Sequence, residues 1–343
     1  MDVNKEILKL DWEREPKGLY APIAYTLAAG GKRVRPQLAM IGSQLFGGKD
    51  EEVLPAALAL EVFHNFTLLH DDVMDKAEVR RGRPTVHIQW NENTAILSGD
   101  QMMIEAYTLL SQVPERALAR VLQLFNKMAT EICEGQQYDV DFEQKSDVTI
   151  EEYLMMIRLK TSVLLANALQ IGAYIAGASE EEQQAVYQFG INIGLAFQIQ
   201  DDILDVWGDP KTFGKAVGGD IACNKKTFVY LEAMRRSGDE AMRRLGERAP
   251  QNASVFGDPA EAKGERLEAR EELEDWYNQM LDDNKEKIAR VKEIFEQLGV
   301  REACEQVVRD YTQRALDILE TLPQNEASEE LRKLAEKLLV RRV

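Results

Sequence analysis

Histidine and cysteine are both scarce in this chain. The histidines are His64, His70 and His87, and the cysteines are Cys133, Cys223 and Cys304. Scattered histidines argue against a histidine-rich metal site. Isolated cysteines with no paired spacing argue against a disulfide framework; they suit a reducing compartment, where they pack as small apolar side chains. Proline and glycine are sparse too, with 10 and 22 in 343 residues, and long stretches lack both, which favours a mostly helical protein. Positive charge is in deficit. The formal net charge of −17 argues against a nucleic-acid partner and against general attraction to anionic membranes. It leaves an anionic substrate open, because local charge decides that and a metal ion reverses the sign of a carboxylate cluster. The opening residues Met1 to Glu6 carry no apolar run, so no secretory signal is expected there. Nor does the chain contain a Walker loop, a Gly-x-Ser-x-Gly elbow or a Ser-His-Asp set with local support, which argues against a nucleotide triphosphatase or a covalent hydrolase.

What remains is a globular composition, 45% hydrophobic and 29% charged. Periodicity predicts helix after helix: 22–29, 36–46, 55–75, 96–110, 114–138, 150–175, 180–207, 227–236, 267–298, 301–322 and 329–340. No alternating pattern competes as strand. The expected fold class is all-α, one large helical bundle over residues 1–343, with an exposed loop or insert at 248–264, where Pro250, Gly257, Pro259 and Gly264 fall. Thr161 to Ser179 is uncharged and nearly long enough to span a bilayer. Asn167 and Gln170 within it favour a helix buried on every side over a transmembrane segment.

Two copies of one aspartate pattern stand out. Leu68-Leu69-His70-Asp71-Asp72-Val73-Met74-Asp75 closes the helix predicted at 55–75. Gln198-Ile199-Gln200-Asp201-Asp202-Ile203-Leu204-Asp205 closes the one at 180–207. In each, the outer aspartates at i and i+4 share a helix face, where like charges repel. A sequence tolerates this twice when a cation offsets it. Oxygen-only ligands point to a hard ion such as Mg²⁺, which keeps waters and prefers a few carboxylates plus substrate phosphates. Were the two helices to face each other, up to six carboxylates would converge on one cavity.

Basic islands accompany the acidic motifs. Gly30-Gly31-Lys32-Arg33-Val34-Arg35-Pro36 offers flexible backbone and three cations just before a helix N-terminus, a favourable place for phosphate. Arg80-Arg81-Gly82-Arg83 follows the first aspartates. Two such islands in so acidic a chain imply two anionic substrates, one held through metal and one by arginine and lysine directly. Lys160-Thr161, Gln198, Lys215 and Lys225 form a third set; taken singly, each reads first as a surface lysine or capping residue.

These motifs together resemble the trans-type, head-to-tail isoprenyl diphosphate synthases, the polyprenyl synthetase family. The residues that carry the resemblance are Gly31 to Pro36, Leu69 to Arg83, Gly135-Gln136 with Asp139, Lys160-Thr161, Phe197 to Asp205, Gly214-Lys215 through Asp220, and Asn224-Lys225. The resemblance implies the isoprenoid synthase fold with a central cavity, a homodimer and a cytoplasmic enzyme. It implies Mg²⁺ on Asp71, Asp75 and Asp201, with Asp72, Asp202 and Asp205 supporting. Arg80, Lys160, Lys215 and Lys225 would hold an allylic diphosphate. Lys32, Arg35, His64 and Arg81 would hold isopentenyl diphosphate, and Thr161 and Gln198 would face the developing allylic cation. Phe66 and Thr67, five and four residues before Asp71, with Phe63 beside them, would floor the product tunnel and set a product of twenty carbons, with fifteen the next choice. A terpene cyclase, a silent partner subunit and a helical structural protein are the competing readings. A cyclase would need neither the Gly31–Pro36 loop nor Arg81, and a silent subunit would be expected to lose aspartates.

Overall fold

A computed structural model describes residues 2–209, 217–238, 259–281 and 283–339. Helices make up 78% of it, with almost no strand, so the fold is all-α as the periodicity predicts. The chain divides into two compact units. The first comprises residues 1–130, 163–191 and 316–333, and the second residues 131–162, 192–315 and 334–343.

The first unit is built around α4 (Asp50–Met74), whose buried residues run almost unbroken from Val53 through Phe63. A helix apolar on all sides must be enclosed, and α4 is packed by α3 (Val34–Leu45), α6 (Glu92–Leu110) and α9 (Val163–Ala176). Its first turn carries Asp50, Glu51 and Glu52, which suit the positive end of the helix dipole. Helices α3 and α9 approach at backbone distance. A Cβ on Gly42 would lie 3.0 Å from Leu169 Cα, and one on Gly172 would lie 2.9 Å from Ser43 N. Only glycine allows that contact, and with it a dry wall beside α4. Other elements of this unit include α1 (Val3–Leu8), α2 (Lys17–Ala28), α5 (Val86–Gln89) and the first half of α7 (Glu115–Gln144).

The second unit contains the rest of α7, α8 (Ile150–Ile157), a π-helical turn (Arg158–Ser162) and the C-terminal part of α10 (Glu180–Trp207). It continues with α11 (Gly219–Ala222), α12 (Phe228–Ser237), α13 (Pro259–Tyr277), α14 (Lys285–Gln297) and most of α15 (Val300–Glu320); α16 (Glu326–Leu339) ends the described chain. Tyr230 stacks on Tyr277 with centroids 4.1 Å apart, and Trp207 packs on Phe295 at 6.2 Å.

Several local expectations need correction. The helix expected at 267–298 is two, α13 and α14. Asp283-Asn284 breaks it, because these short polar side chains compete for backbone; Asp283 Oδ1 accepts from Lys285 N at 3.1 Å. The helix expected at 150–175 is interrupted by the π turn. Residues 259–264, expected as loop, open α13, while 248–258 lie outside the described residues. Two-residue strands, β1 (Val79–Arg80) and β2 (Arg83–Pro84), pair antiparallel where only a basic loop was expected. Two helices, Asp50–Met74 and Ile150–Ala176, are long and apolar enough to cross a membrane, but 61% and 72% of those spans is buried inside the protein. That fits core helices.

Candidate active site

In the first unit the site grows from two turns. Between α2 and α3 the backbone passes through positive φ at Gly30 (74°), Gly31 (136°) and Arg33 (48°). Glycine takes this route freely and arginine does not. A Cβ on Gly31 would come within 3.0 Å of the Arg81 guanidinium, so its absence lets that side chain lie on the loop, where Arg81 donates to Gly30 O. The second turn is the hairpin β1–β2. Its central residues Arg81 (53°) and Gly82 (74°) have the left-handed backbone of a tight two-residue connection. Pairing of Val79 with Pro84 and Arg80 with Arg83 fixes the register. Arg80 donates through Nε and Nη2 to Asp72 Oδ1 at 2.7 and 2.6 Å. Arg83 covers the Tyr25 ring at 3.9 Å, and Tyr25 Oη donates to Pro84 O at 2.8 Å. A pocket lined by Tyr25, Asn65, Leu69, Asp72, Arg80 and Arg81 opens here.

The three cations of the Gly30–Pro36 segment do not behave alike. Lys32 is exposed; Arg35 is half-buried with its Nε buried. Arg33 turns inward, 5% exposed, and bonds Glu61. Burial, and then repulsion from Arg81, bring the Arg35 pKa down to about 10, with Glu61 opposing. His64 sits on α4 among these groups. Burial and the charges of Arg35, Arg81, Arg80 and Arg33 hold it well below its usual pKa, so it is neutral at pH 7 and meets an anion as a hydrogen-bonding group, not as a charge.

The aspartates of the first motif sit in the last turn of α4 or just past it, a stretch with no basic residue. A helix C-terminus repels anions, so three carboxylates there oppose both one another and the dipole. They have separate roles. Asp72 is buried (4% exposed) and holds Arg80; Asp71 is half-buried, and Asp75 is exposed at the helix cap. Farther up α4, Phe66 meets Phe63 at 5.3 Å and His70 at 4.8 Å, and Phe63 packs edge-on to Phe125 at 5.0 Å. Phe63 is fully enclosed core, Phe66 is partly open, and Thr67 turns its hydroxyl back to His64 O.

The second unit repeats the division of roles. Asp202, 3% exposed, accepts from Tyr153 Oη at 2.6 Å, from Phe228 N at 3.2 Å and from Gln198 Nε2 at 3.3 Å. Burial, then the charge of Asp220, raise its carboxyl well above the usual range. Asp205 Oδ2 accepts from Asp220 N at 3.0 Å and so ties down the turn that starts α11. Asp201 is half-buried. The π turn presents Lys160 and Thr161: Lys160 Nζ meets Asp139 Oδ2 at 2.5 Å, and Thr161 Oγ1 donates to Gln198 Oε1 at 3.4 Å. Gly135 of α7 lies against this turn. A Cβ there would stand 2.7 Å from Leu159 C, 2.8 Å from Lys160 Cα and closer still to Lys160 N. Lys225 is exposed beyond α11, and Lys215 lies outside the described residues.

Among the described residues no three His, Cys, Asp or Glu side chains gather closely enough to cage a cation by themselves. The donors in both motifs are carboxylate oxygens alone. That set fits Mg²⁺ taken by one or two carboxylates and completed by water and substrate oxygens. Pattern reading missed Tyr153, Glu61, Asn65 and the Arg83–Tyr25 contact. Of these, only Glu61, an acid inside an apolar run three residues before His64, leaves a signal in the sequence.

The polyprenyl synthetase family model matches residues 16–258. The chain belongs to the polyprenyl synthetase family. It is 44% identical over 243 residues to a short chain isoprenyl diphosphate synthase of Methanocaldococcus jannaschii, covering 71% of this chain and 74% of that protein. A short chain isoprenyl diphosphate synthase of Methanothermobacter thermautotrophicus is 37% identical over 331 residues, 95% of this chain and 91% of its own. The crystal structure of a geranylgeranyl pyrophosphate synthase superposes with a TM-score of 0.85 at 42% identity, covering 99% of this chain and 96% of that one.

Proposed function

We propose that the chain is a Mg²⁺-dependent prenyltransferase that condenses isopentenyl diphosphate head-to-tail with an allylic diphosphate to give a short-chain prenyl diphosphate. One observation carries this reading. The β1–β2 hairpin sends Arg80 to the first aspartate motif and Arg81 to the glycine loop, so an acidic motif and a predominantly basic anion site adjoin. A reaction of two diphosphates needs both; cyclisation of a single diphosphate needs only the first.

In this reading Lys32, Arg35, Arg81 and neutral His64 bind isopentenyl diphosphate. Arg80, Lys160, Lys215 and Lys225 bind the allylic diphosphate. Asp71, Asp75 and Asp201 would hold Mg²⁺, which when bound stabilises negative charge on the departing diphosphate. Asp72, Asp202 and Asp205 support them by fixing Arg80, Tyr153 and the α11 turn. The barrier is charge separation at the allylic carbon–oxygen bond, so preorganised cations around the leaving group lower it. The oxygens of Thr161 and Gln198 stabilise the carbocation, and apolar walls keep water away. The alkene of isopentenyl diphosphate then forms the new carbon–carbon bond, and the proton lost goes to the departed diphosphate. Phe66, with Phe63 and Thr67, sets a twenty-carbon product, which is also what the solved geranylgeranyl synthase is named for. The chain acts as one catalytic domain, in the cytoplasm and as a homodimer; exposed Ile96, Leu97, Met103, Ile104 and Tyr107 on α6 suit a face covered by a second copy.

The test is purified protein with Mg²⁺, isopentenyl diphosphate and a labelled allylic primer. Chain-extended product is expected, lost in Asp71→Ala and Asp201→Ala with helical circular dichroism retained. Release of diphosphate from the primer alone, with a cyclised hydrocarbon and no use of isopentenyl diphosphate, would instead establish a cyclase.

A further inference from the structure

Beneath the glycine loop lies a charged group that the roles above do not use. Arg33, at the N-terminal boundary of α3 in left-handed backbone, donates through Nη1 to Glu61 Oε1 at 2.5 Å and through Nη2 to Leu27 O. Asn65 Nδ2 donates to Glu61 O at 2.8 Å and to Glu61 Oε1 at 3.0 Å. All three side chains are buried, at 5%, 2% and 0% exposure. A buried ion pair is a poor source of stability, because desolvation offsets the attraction and apolar residues of similar volume do as well. The backbone of Arg33 adds strain that a different residue would avoid. Stability therefore does not account for this arrangement.

Its surroundings do. Glu61 is the carboxylate whose field offsets both Arg35 and Arg81, while Arg33, Arg80 and Arg81 repel within the same cluster. Three buried polar atoms in this group lack a hydrogen-bond partner: Glu61 Oε2, Asn65 Oδ1 and Arg35 Nε. Asn65 also lines the pocket that Arg80 and Arg81 line. Like charges held this close without a ligand disperse unless something gathers them; Asp72 holds Arg80, and Glu61 is the fixed anion that acts on both Arg35 and Arg81.

We propose that Glu61 is a positioning residue for the basic cluster: through Arg33 it fixes the path of the loop carrying Lys32 and Arg35, and its charge keeps Arg35 and Arg81 assembled before an anionic substrate arrives. This rests on the reading that the cluster takes isopentenyl diphosphate. Preorganisation of this kind lowers the cost of binding and leaves chemistry elsewhere untouched.

The experiment compares wild type with Glu61→Gln, which keeps shape and hydrogen bonds but removes the charge, and with the apolar double variant Arg33→Met, Glu61→Leu. In steady state, the KM for isopentenyl diphosphate should rise fivefold or more in both, with kcat and the KM for the allylic primer within twofold of wild type. Calorimetric titration of inorganic pyrophosphate in metal-free buffer should show the same loss of affinity. An unchanged or lowered KM with unchanged pyrophosphate affinity would overturn the proposal, as would wild-type affinity in the folded double variant, since the pair would then be structural only. If wild type uses no isopentenyl diphosphate but pyrophosphate binding still depends on Glu61, the assigned substrate is wrong and the role of Glu61 stands.

Discussion

Gly135→Ala tests whether the π turn is where Lys160 and Thr161 get their placement. The added methyl would meet Leu159 C and Lys160 Cα at 2.7 and 2.8 Å and Lys160 N closer still, against 3.4 Å for ordinary contact. Backbone cannot swing aside as a side-chain tip can, so the turn and α7 must part by roughly 1 Å. Overpacking of this kind costs about 3 kcal/mol at the upper end of the usual range. The better helix propensity of alanine returns about 1 kcal/mol, for a net loss of about 2 kcal/mol. In the proposed reading Lys160 holds the leaving diphosphate, and a shift of roughly 1 Å there should lower turnover about 100-fold. Urea denaturation and steady-state kinetics, run beside Gly18→Ala, read both quantities. Gly18 lies in α2 with nothing within 4 Å of its virtual Cβ, so its variant should be slightly stabilised and fully active. A Gly135→Ala protein with wild-type midpoint and turnover would refute the claim that this close approach positions the turn.

Two other perturbations follow from the site. Phe66→Ala should lengthen the product until the chain meets Phe63 and Phe125 behind it, read by chromatography of the dephosphorylated products; an unchanged length profile would remove Phe66 as the floor. His64 is held neutral by burial and by Arg35, Arg81, Arg80 and Arg33, so its folded pKa lies below its unfolded value of about 6.5. Below that pH the unfolded chain takes up a proton that the folded chain refuses. Stability should therefore fall, by at most about 1.4 kcal/mol per pH unit, until pH reaches the folded pKa. His64→Asn should flatten that part of the stability–pH curve, and equal slopes for both proteins between pH 6.5 and 5 would show that His64 is not the group responsible.

Pattern reading works where one physical signal dominates. The enclosed helix α4 is visible as an unbroken apolar run, and the two aspartate motifs are visible because repelling charges recur at helical spacing. The division of labour within each motif is not visible. Asp71 and Asp72 are neighbours of one type, and only tertiary contacts make Asp72 the anchor of Arg80. The same holds for Arg33, counted by composition with Lys32 and Arg35 yet buried against Glu61 from a left-handed backbone position. The π turn escapes periodicity because one extra residue in a turn leaves the apolar pattern on either side intact. The break before α14 was there to be read in Asp283-Asn284, but the apolar spacing on both flanks outweighed it.

The hairpin that carries Arg80 and Arg81 has a consequence for how such a site tolerates change. Arg80 closes strand β1 and Arg81 opens the turn in left-handed backbone, so two identical neighbours are wired to different circuits, one to a carboxylate and the other to a loop carbonyl. Neither can stand in for its twin. Inserting or deleting one residue in the ribbon would keep both guanidinium groups yet shift the register that aims them, a miswiring that residue counts alone would never reveal.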